Sequence, residues 1–220
     1  MAQETPPATS QAPAATTPAE SAAAAPAHPG RQAQELTIVV LGDSLSAGYN
    51  IPGDKAFPAV LEQALRARGY NVKVVNAGVS GDTTTGGLER LDWSVPDGVS
   101  GVILELGAND MLRGVDVSIP RKALDEIITR LKARNIPVML AGMRAAPNLG
   151  GRYATQFGTI YADLAQRHQL LLYPFFLEGV AGERRLLLDD GMHPNPDGVQ
   201  VMVANILPTV EKFLSAIQGR

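Results

Sequence analysis

Short apolar runs recur along the chain and are too brief to be helices. Each holds four to six residues rich in Val, Ile and Leu, and glycine, proline or a polar residue follows each run. Runs of this length that are apolar at nearly every position are typical of strands that a sheet buries on both faces. The pattern predicts five strands, at residues 36–41, 72–75, 101–106, 138–141 and 170–173.

Longer stretches with apolar residues three or four positions apart separate these runs. One such stripe consists of Leu124, Ile127, Ile128 and Leu131, and this period marks the core-facing side of an amphipathic helix. Further helices are predicted at residues 57–68, at residues 153–168, and beyond residue 196. For the last helix, Asn195 is the expected N-cap and Pro196 the first helical residue. Pro208 lies inside that stripe and favours a kink.

The alternation of strands and helices determines the expected fold class. Parallel strands need long crossover connections, which are usually helical, and these helices cover both faces of the sheet. We therefore expect an α/β fold, a three-layer αβα sandwich around a five-stranded parallel sheet in a flavodoxin-like order.

Residues 1–35 differ from the rest of the chain in composition. They contain 12 Ala and 6 Pro and no Leu, Ile, Val, Phe, Tyr or Trp. Such a segment cannot bury enough apolar surface to offset the entropy of ordering it. We predict a disordered Ala/Pro-rich tail at residues 1–35 and one folded domain at residues 36–220.

Charge and cysteine content exclude several functional classes. Lys plus Arg number 19 and Asp plus Glu number 22, without a basic cluster, so the chain lacks the electrostatic signature of nucleic-acid binding. It has no cysteine, which excludes disulfides, thiolate zinc sites and cysteine nucleophiles. No apolar run approaches the roughly 20 residues that a transmembrane helix needs.

The first residues bear on localisation. Met1 to Ser10 has neither a basic region nor the apolar stretch of a secretory signal. The opening Met-Ala-Gln-Glu resembles a start Met placed on a mature N-terminus from which a signal was removed. We therefore expect a periplasmic or secreted protein, and a cytoplasmic protein with a Pro/Ala extension is the alternative.

Polar residues cluster where the predicted strands end. Ser44 follows the first strand, Asn109 follows the third, and Asp190 and His193 stand three apart before the last helix. In open α/β sheets, sites form beyond the carboxyl ends of the strands, so we expect these side chains to meet. A serine, a histidine, a carboxylate and an amide are the groups that acyl transfer needs.

The histidine and aspartate assignments rest on elimination and spacing. Of the three histidines, His28 lies in the tail and His168 ends a helix far from the other polar groups, which leaves His193 as the base. Asp189 competes with Asp190 as its partner. The Asp-x-x-His spacing favours Asp190, because a short turn can fold its carboxylate back onto the imidazole.

Four ordered blocks carry a family resemblance that spans about residues 36–217. They are Gly-Asp-Ser-Leu at 42–45, Ser-Gly-Asp-Thr at 80–83, Gly-x-Asn-Asp at 107–110 and Asp-x-x-His at 190–193. The chain resembles the GDSL or SGNH hydrolases, above all the bacterial branch of acyl-CoA thioesterase I, lysophospholipase and arylesterase. The resemblance implies an oxyanion hole formed by Ser44, Gly81 and Asn109. One departure is Ala108, where this branch usually has a second glycine.

The resemblance implies a serine esterase that needs no metal and no organic cofactor. Ser44 would be the nucleophile, His193 the general base and Asp190 its orienting partner, and the partner molecule would be a small ester or thioester substrate. Asp43 and Asp110 are interpreted as structural residues that bind their own turns. The acyl pocket is expected to use Val79, Met111, Leu112 and Pro147, the last within a segment at residues 143–151.

Three functions remain open at this point. The first is hydrolysis of aryl esters, acyl-CoA and lysophospholipids, and the second is carbohydrate O-acetylester hydrolysis by the same triad. The third is a non-catalytic flavodoxin-like binding module, although residues 42–46 are too poor in glycine for a phosphate loop. The sequence determines neither the natural substrate nor the oligomeric state.

Overall fold

A five-stranded parallel sheet forms the centre of the molecule. The computed structural model describes Met1, residues 35–146 and residues 149–219. The strands are β1 (Leu36–Gly42), β2 (Val72–Gly78), β3 (Gly101–Leu104), β4 (Val138–Ala141) and β5 (Leu171–Tyr173). Their spatial order is β2-β1-β3-β4-β5 and every neighbouring pair is parallel, so the predicted flavodoxin-like sheet is confirmed. The predicted tail lies outside the described residues except at Met1 and Glu35.

Helices cover this sheet. The long helices are α2 (Phe57–Ala67), α6 (Ser118–Ala133), α7 (Gly151–His168) and α8 (Pro196–Gln218). The short helices are α1 (Ser44–Ala47), α3 (Thr84–Glu89), α4 (Leu91–Ser94) and α5 (Ala108–Leu112), and 3₁₀ turns lie at Gly53–Lys55 and Arg184–Leu186. Helices α2 and α8 pack together, while α6 contacts both α3 and α7. The architecture is the expected three-layer αβα sandwich.

The short helices and the strand ends are the parts that hydrophobic periodicity did not predict. Helices of four to six residues complete less than two turns, so they carry no detectable stripe. Strand β2 continues three residues past its predicted end, because Asn76 pairs with Val40 and Gly78 pairs with Gly42. Backbone pairing, which any residue type can make, sets that boundary.

Helix α8 begins as the sequence predicts. The Asn195 side chain accepts a hydrogen bond from the Gly198 N–H at 2.9 Å, and Pro196 occupies the first helical position. The helix continues across Pro208 to Gln218. Its buried face includes Met202 and Ile206, which join the core that the sheet and helices share.

A close backbone approach places helix α1 against the end of β2. A Cβ atom on Gly78 would lie 2.4 Å from the Ala47 nitrogen and 2.9 Å from the Asp43 carbonyl oxygen. These are backbone atoms, so a side chain at position 78 would displace the helix itself. Only glycine permits this packing.

We therefore expect Gly78→Ala to lower the free energy of unfolding by about 1–3 kcal/mol, the usual effect of overpacking. The matched control is Gly158→Ala in helix α7, where an added Cβ would meet nothing within 4 Å. That change should raise stability by about 0.5–1 kcal/mol through helix propensity. Urea unfolding of both variants measures the two effects, and a Gly78→Ala protein as stable as the wild type would contradict the packing argument.

Candidate active site

A serine, a histidine and an aspartate form a hydrogen-bonded chain at the carboxyl edge of the sheet. His193 Nε2 lies 2.9 Å from Ser44 Oγ, and His193 Nδ1 lies 2.6 Å from Asp190 Oδ2. Ser44 is 149 residues from His193 in sequence, so only the fold brings the two together. This geometry places a base next to a hydroxyl and an orienting carboxylate behind the base.

The loop at residues 187–195 holds the histidine and the aspartate in place. Asp190 Oδ1 accepts hydrogen bonds from the backbone N–H groups of Met192 at 2.9 Å and His193 at 3.0 Å. The Leu188 N–H donates to the His193 carbonyl at 2.8 Å, and Gly191 makes the turn with a φ of 70°. Burial favours a raised pKa for Asp190, but the two backbone N–H donors and the imidazole outweigh it and lower the pKa to about 2.

Ser44 is the first residue of helix α1, and Asp43 separates it from the end of β1. Asp43 is the N-cap of this helix, and its Oδ1 accepts from the Leu45 N–H at 3.0 Å. The capping role that serine itself could have filled is therefore taken by the preceding residue. At the first position of the helix, the Ser44 N–H has no intrahelical acceptor to bind.

Asn109 lies close to this helix, in helix α5. Its side-chain nitrogen donates to Asp43 Oδ2 at 3.2 Å. Asp43 has no exposed surface, and this burial raises its pKa to about 6 against the lowering effect of the bonds from Leu45 and Asn109. One buried carboxyl group thus orients both the helix of Ser44 and the amide of Asn109.

Two arginine side chains form hydrogen bonds with the loop that contains Gly81. Gly81 has a φ of 81°, and its carbonyl accepts from Arg113 Nη2 at 2.8 Å. The next residue, Asp82, accepts from Arg90 Nε at 2.7 Å. The buried Arg90 also donates to the carbonyls of Ala77 and Gly42, each at 2.8 Å. Arg90 therefore joins the ends of β1 and β2 to this loop.

Two polar residues of this framework were missed by the sequence analysis, and a third was misinterpreted. Arg90 gave no signal, because it lies in the turn between the short helices α3 and α4, which carry no periodic pattern. Glu105 was visible as a single charge inside a predicted apolar strand, Val-Ile-Leu-Glu-Leu. Asp110 was expected to bind its own turn, but it accepts from the N–H and hydroxyl of Thr84, each at 2.8 Å. The prediction for Asp110 was wrong because its partner lies 26 residues away.

Glu105 lies beneath the serine helix with no exposed surface. Its Oε2 accepts from the Ser46 hydroxyl at 2.7 Å and from the Asp43 N–H at 3.3 Å. Its Oε1 has no hydrogen-bond partner among the described residues. Burial, and then the nearby Asp43 carboxylate, raise the pKa of Glu105 well above its usual range. A neutral carboxylic acid is the form that this environment favours.

An apolar cavity of about 430 Å³ opens beside Ser44. Ser44, Asn109 and His193 supply polar groups on one side of it. Most of the other lining side chains are apolar: Leu45, Ala108, Met111, Leu112, Met143, Ala145, Ala146, Phe175, Leu177, Ala181, Leu187 and Met192. Arg144 lies at the cavity and contacts the ring of Phe175 at 4.7 Å from its centre. The cavity can hold an apolar group next to the serine hydroxyl.

The four residues expected to bind substrate fall in different places. Met111 and Leu112 line the cavity. Val79 is exposed and does not line it, because it lies in the turn whose Asp82 N–H donates to the Val79 carbonyl. Pro147 lies outside the described residues, although Met143 in the same segment lines the cavity.

The described residues contain neither a candidate membrane span nor a candidate metal site. None of the helices in that part of the chain is long and apolar enough to cross a membrane. Within the same residues, no group of three or more histidine or acidic side chains is arranged to hold a metal ion.

Solved structures and characterised proteins resemble this chain over most of its length. An arylesterase from Vibrio mimicus is 44% identical over 164 residues, which cover 73% of this chain and 80% of the relative. The thioesterase 1/protease 1/lysophospholipase L1 of Escherichia coli is 39% identical over 168 residues, 76% of this chain and 79% of that protein. The crystal structure of AlinE4, an SGNH-hydrolase family esterase, superposes on this chain with a TM-score of 0.70 and 43% sequence identity. The match covers 84% of this chain and 99% of the AlinE4 chain.

A family model also matches most of the chain. The model of the GDSL-like lipase/acylhydrolase family matches residues 40–201, which include the serine helix, the Gly81 loop, Asn109 and the loop of Asp190 and His193. The chain therefore belongs to the GDSL-like lipase/acylhydrolase family.

Proposed function

We propose that this protein is a serine esterase that hydrolyses carboxylic esters and thioesters through an acyl-enzyme. One observation carries the proposal: the hydrogen-bonded chain from Ser44 through His193 to Asp190 ends at the wall of an apolar cavity. A hydroxyl with an adjacent base is an activated nucleophile, and the cavity can hold the acyl group that it attacks.

The chemistry follows from the positions of these atoms. Ser44 Oγ attacks the acyl carbonyl while His193 Nε2 takes its proton, and the developing imidazolium is stabilised by the Asp190 carboxylate. Because the pKa of Asp190 is about 2, that carboxylate is ionised throughout the neutral range. His193 then protonates the departing alcohol or thiol, and water attacks the acyl-enzyme with His193 again as the base. The bond between Ser44 Oγ and the acyl carbon breaks, the carboxylic acid leaves, and His193 returns the proton to Ser44 Oγ.

The negative charge on the carbonyl oxygen needs hydrogen-bond donors that are already in place. We assign this role to the backbone N–H groups of Ser44 and Gly81 and to the side-chain amide of Asn109. The bond to Asp43 uses one hydrogen of the Asn109 amide, which leaves the second hydrogen for the substrate. Arg113 and Arg90 support the Gly81 loop, so its N–H needs no reorganisation during the reaction.

The size and composition of the cavity favour acyl groups larger than acetyl. Its volume of about 430 Å³ is that of pockets that hold whole small molecules. This supports the broad ester and thioester hydrolase over the carbohydrate O-acetylesterase, because an acetyl group needs only a small pocket. We include aryl esters, acyl-CoA and lysophospholipids among the substrates, in line with the names of the relatives from Vibrio mimicus and Escherichia coli. Location in the periplasm or outside the cell stays a prediction.

The first test concerns the nucleophile. Ser44→Ala should lower kcat for an aryl ester by about 10⁶-fold, as loss of a serine nucleophile does in proteases of this chemistry. The same variant should lose covalent labelling by a fluorophosphonate while its melting temperature stays near that of the wild type.

The matched control is Ser215→Ala in helix α8, whose hydroxyl donates to the carbonyl of Glu211 in its own helix. This variant should keep full activity and labelling. Labelling that persists in Ser44→Ala and maps to Ser46 or Ser80 would refute the assignment. A wild-type protein that is inert to the probe would favour a non-catalytic binding module.

The second test concerns the oxyanion donor. Asn109→Ala should lower kcat by about 10²–10³-fold, because the lost bond forms fully only in the transition state. KM should change far less, since the ground-state carbonyl carries little charge. Asn109→Asp should be at least as damaging, because a second carboxylate would face Asp43 at the present distance of 3.2 Å.

The control for this pair is Asn205→Ala, which removes an amide bonded to the Glu178 carbonyl, outside the residues that line the cavity. Steady-state kinetics and thermal unfolding of all three variants separate catalysis from folding. If Asn109→Ala lost stability but kept most of its kcat, the amide would be a structural partner of Asp43 alone.

A further inference from the structure

An aromatic ring covers one face of the His193 imidazole. The ring of Tyr49 has its centre 4.4 Å from that of His193, with an angle of 34° between the two planes. Tyr49 is 39% exposed, so burial in the core does not account for its position. The His193 side chain is only 18% exposed, and Tyr49 is part of what covers it.

The position of Tyr49 is tied to the helix of the nucleophile. Gly48 ends helix α1 in the left-handed conformation, with a φ of 83°. The N–H groups of Gly48 and Tyr49 both donate to the Ser44 carbonyl at 3.2 Å. A Cβ on Gly48 would lie 2.6 Å from the Cβ of Ala56, so this turn also requires glycine. The backbone of Ser44 therefore fixes the backbone position of Tyr49, from which the ring reaches the base that activates the Ser44 hydroxyl.

Both ring nitrogens of His193 already have a hydrogen-bond partner, Asp190 at Nδ1 and Ser44 at Nε2. When the proton moves from Ser44 Oγ to Nε2, the imidazole becomes a cation next to the ring of Tyr49. The face of an aromatic ring attracts a cation within about 6 Å of its centre. The Asp190 and Asp43 carboxylates interact with the charge on this imidazole. Two cations lie farther out, Arg184 beside Gly191 and Arg144 at the same cavity.

We propose that Tyr49 is a positioning residue of the reaction that holds the His193 imidazole by its face and stabilises its protonated form. The inference rests on the proposed esterase function, since it acts only through His193. The π face of the Tyr49 ring holds and stabilises the imidazole, and the phenolic hydroxyl is not needed for this.

The experiment compares Tyr49→Phe with Tyr49→Leu, using phenyl acetate hydrolysis across a pH series. Tyr49→Phe keeps the ring and should retain at least half of the wild-type kcat. Tyr49→Leu keeps apolar bulk but has no π face, and its kcat should fall about three- to tenfold.

The pH profile distinguishes this role from a purely spatial one. Without the ring the imidazole protonates less readily, so the neutral base persists to lower pH. The midpoint of the acidic limb of kcat/KM should therefore move down by about 0.5–1 pH unit in Tyr49→Leu, the shift that corresponds to the expected loss of kcat. The limb of Tyr49→Phe should coincide with that of the wild type.

Three results would overturn the inference. They are wild-type kinetics in Tyr49→Leu, an equal loss in Tyr49→Phe and Tyr49→Leu, or a loss in Tyr49→Leu with an unshifted acidic limb. Melting temperatures of both variants verify folding, which the exposure of Tyr49 should preserve. A wild-type protein without esterase activity would instead refute the proposed function, so the two failures are distinguishable.

Discussion

The buried carboxyl group of Asp43 links the parts on which the site depends. Its two oxygens bind the Leu45 N–H at the start of the serine helix and the amide of Asn109. Its own N–H donates to Glu105, which also accepts from the Ser46 hydroxyl. Burial disfavours the charge, which is why the pKa of Asp43 rises to about 6. Burial of Asp43 fixes the geometry of the site, because the nucleophile and the proposed oxyanion donor are both held by this one carboxyl group.

Different environments divide the carboxyl groups of the site into different roles. Asp190 lies in a loop with three N–H donors around it, and it stays ionised next to the imidazole. Glu105 is fully buried beneath the serine helix near the Asp43 carboxylate, and this environment favours the neutral form. A carboxyl group thus serves as an ionised partner of the imidazole at Asp190 and as a buried hydrogen-bond acceptor at Glu105. Burial and hydrogen bonding determine which role each group has.

The site has a polar half and an apolar half that come from different parts of the fold. The polar half lies at the ends of β1, β2 and β3, where Arg90 donates to the strand-end carbonyls of Ala77 and Gly42. The apolar half comes mainly from the segments after β4 and β5, including Met143, Phe175 and Leu177. A rigid polar framework next to an apolar cavity suits hydrolysis of an ester whose acyl group is apolar, because the reacting carbonyl then lies at the boundary.

The sequence by itself determined the sheet, the long helices and the three members of the proposed triad. These depend on apolar periodicity and on the rule that strand ends meet at one edge, and both can be recognised in local residue order. Tertiary structure alone decided the partners of Arg90, Glu105, Asp110 and Tyr49, since each binds groups that are distant in the chain or have no distinctive pattern. It also excluded Val79 from the cavity wall, because a one-dimensional pattern places a residue in a loop but does not orient its side chain.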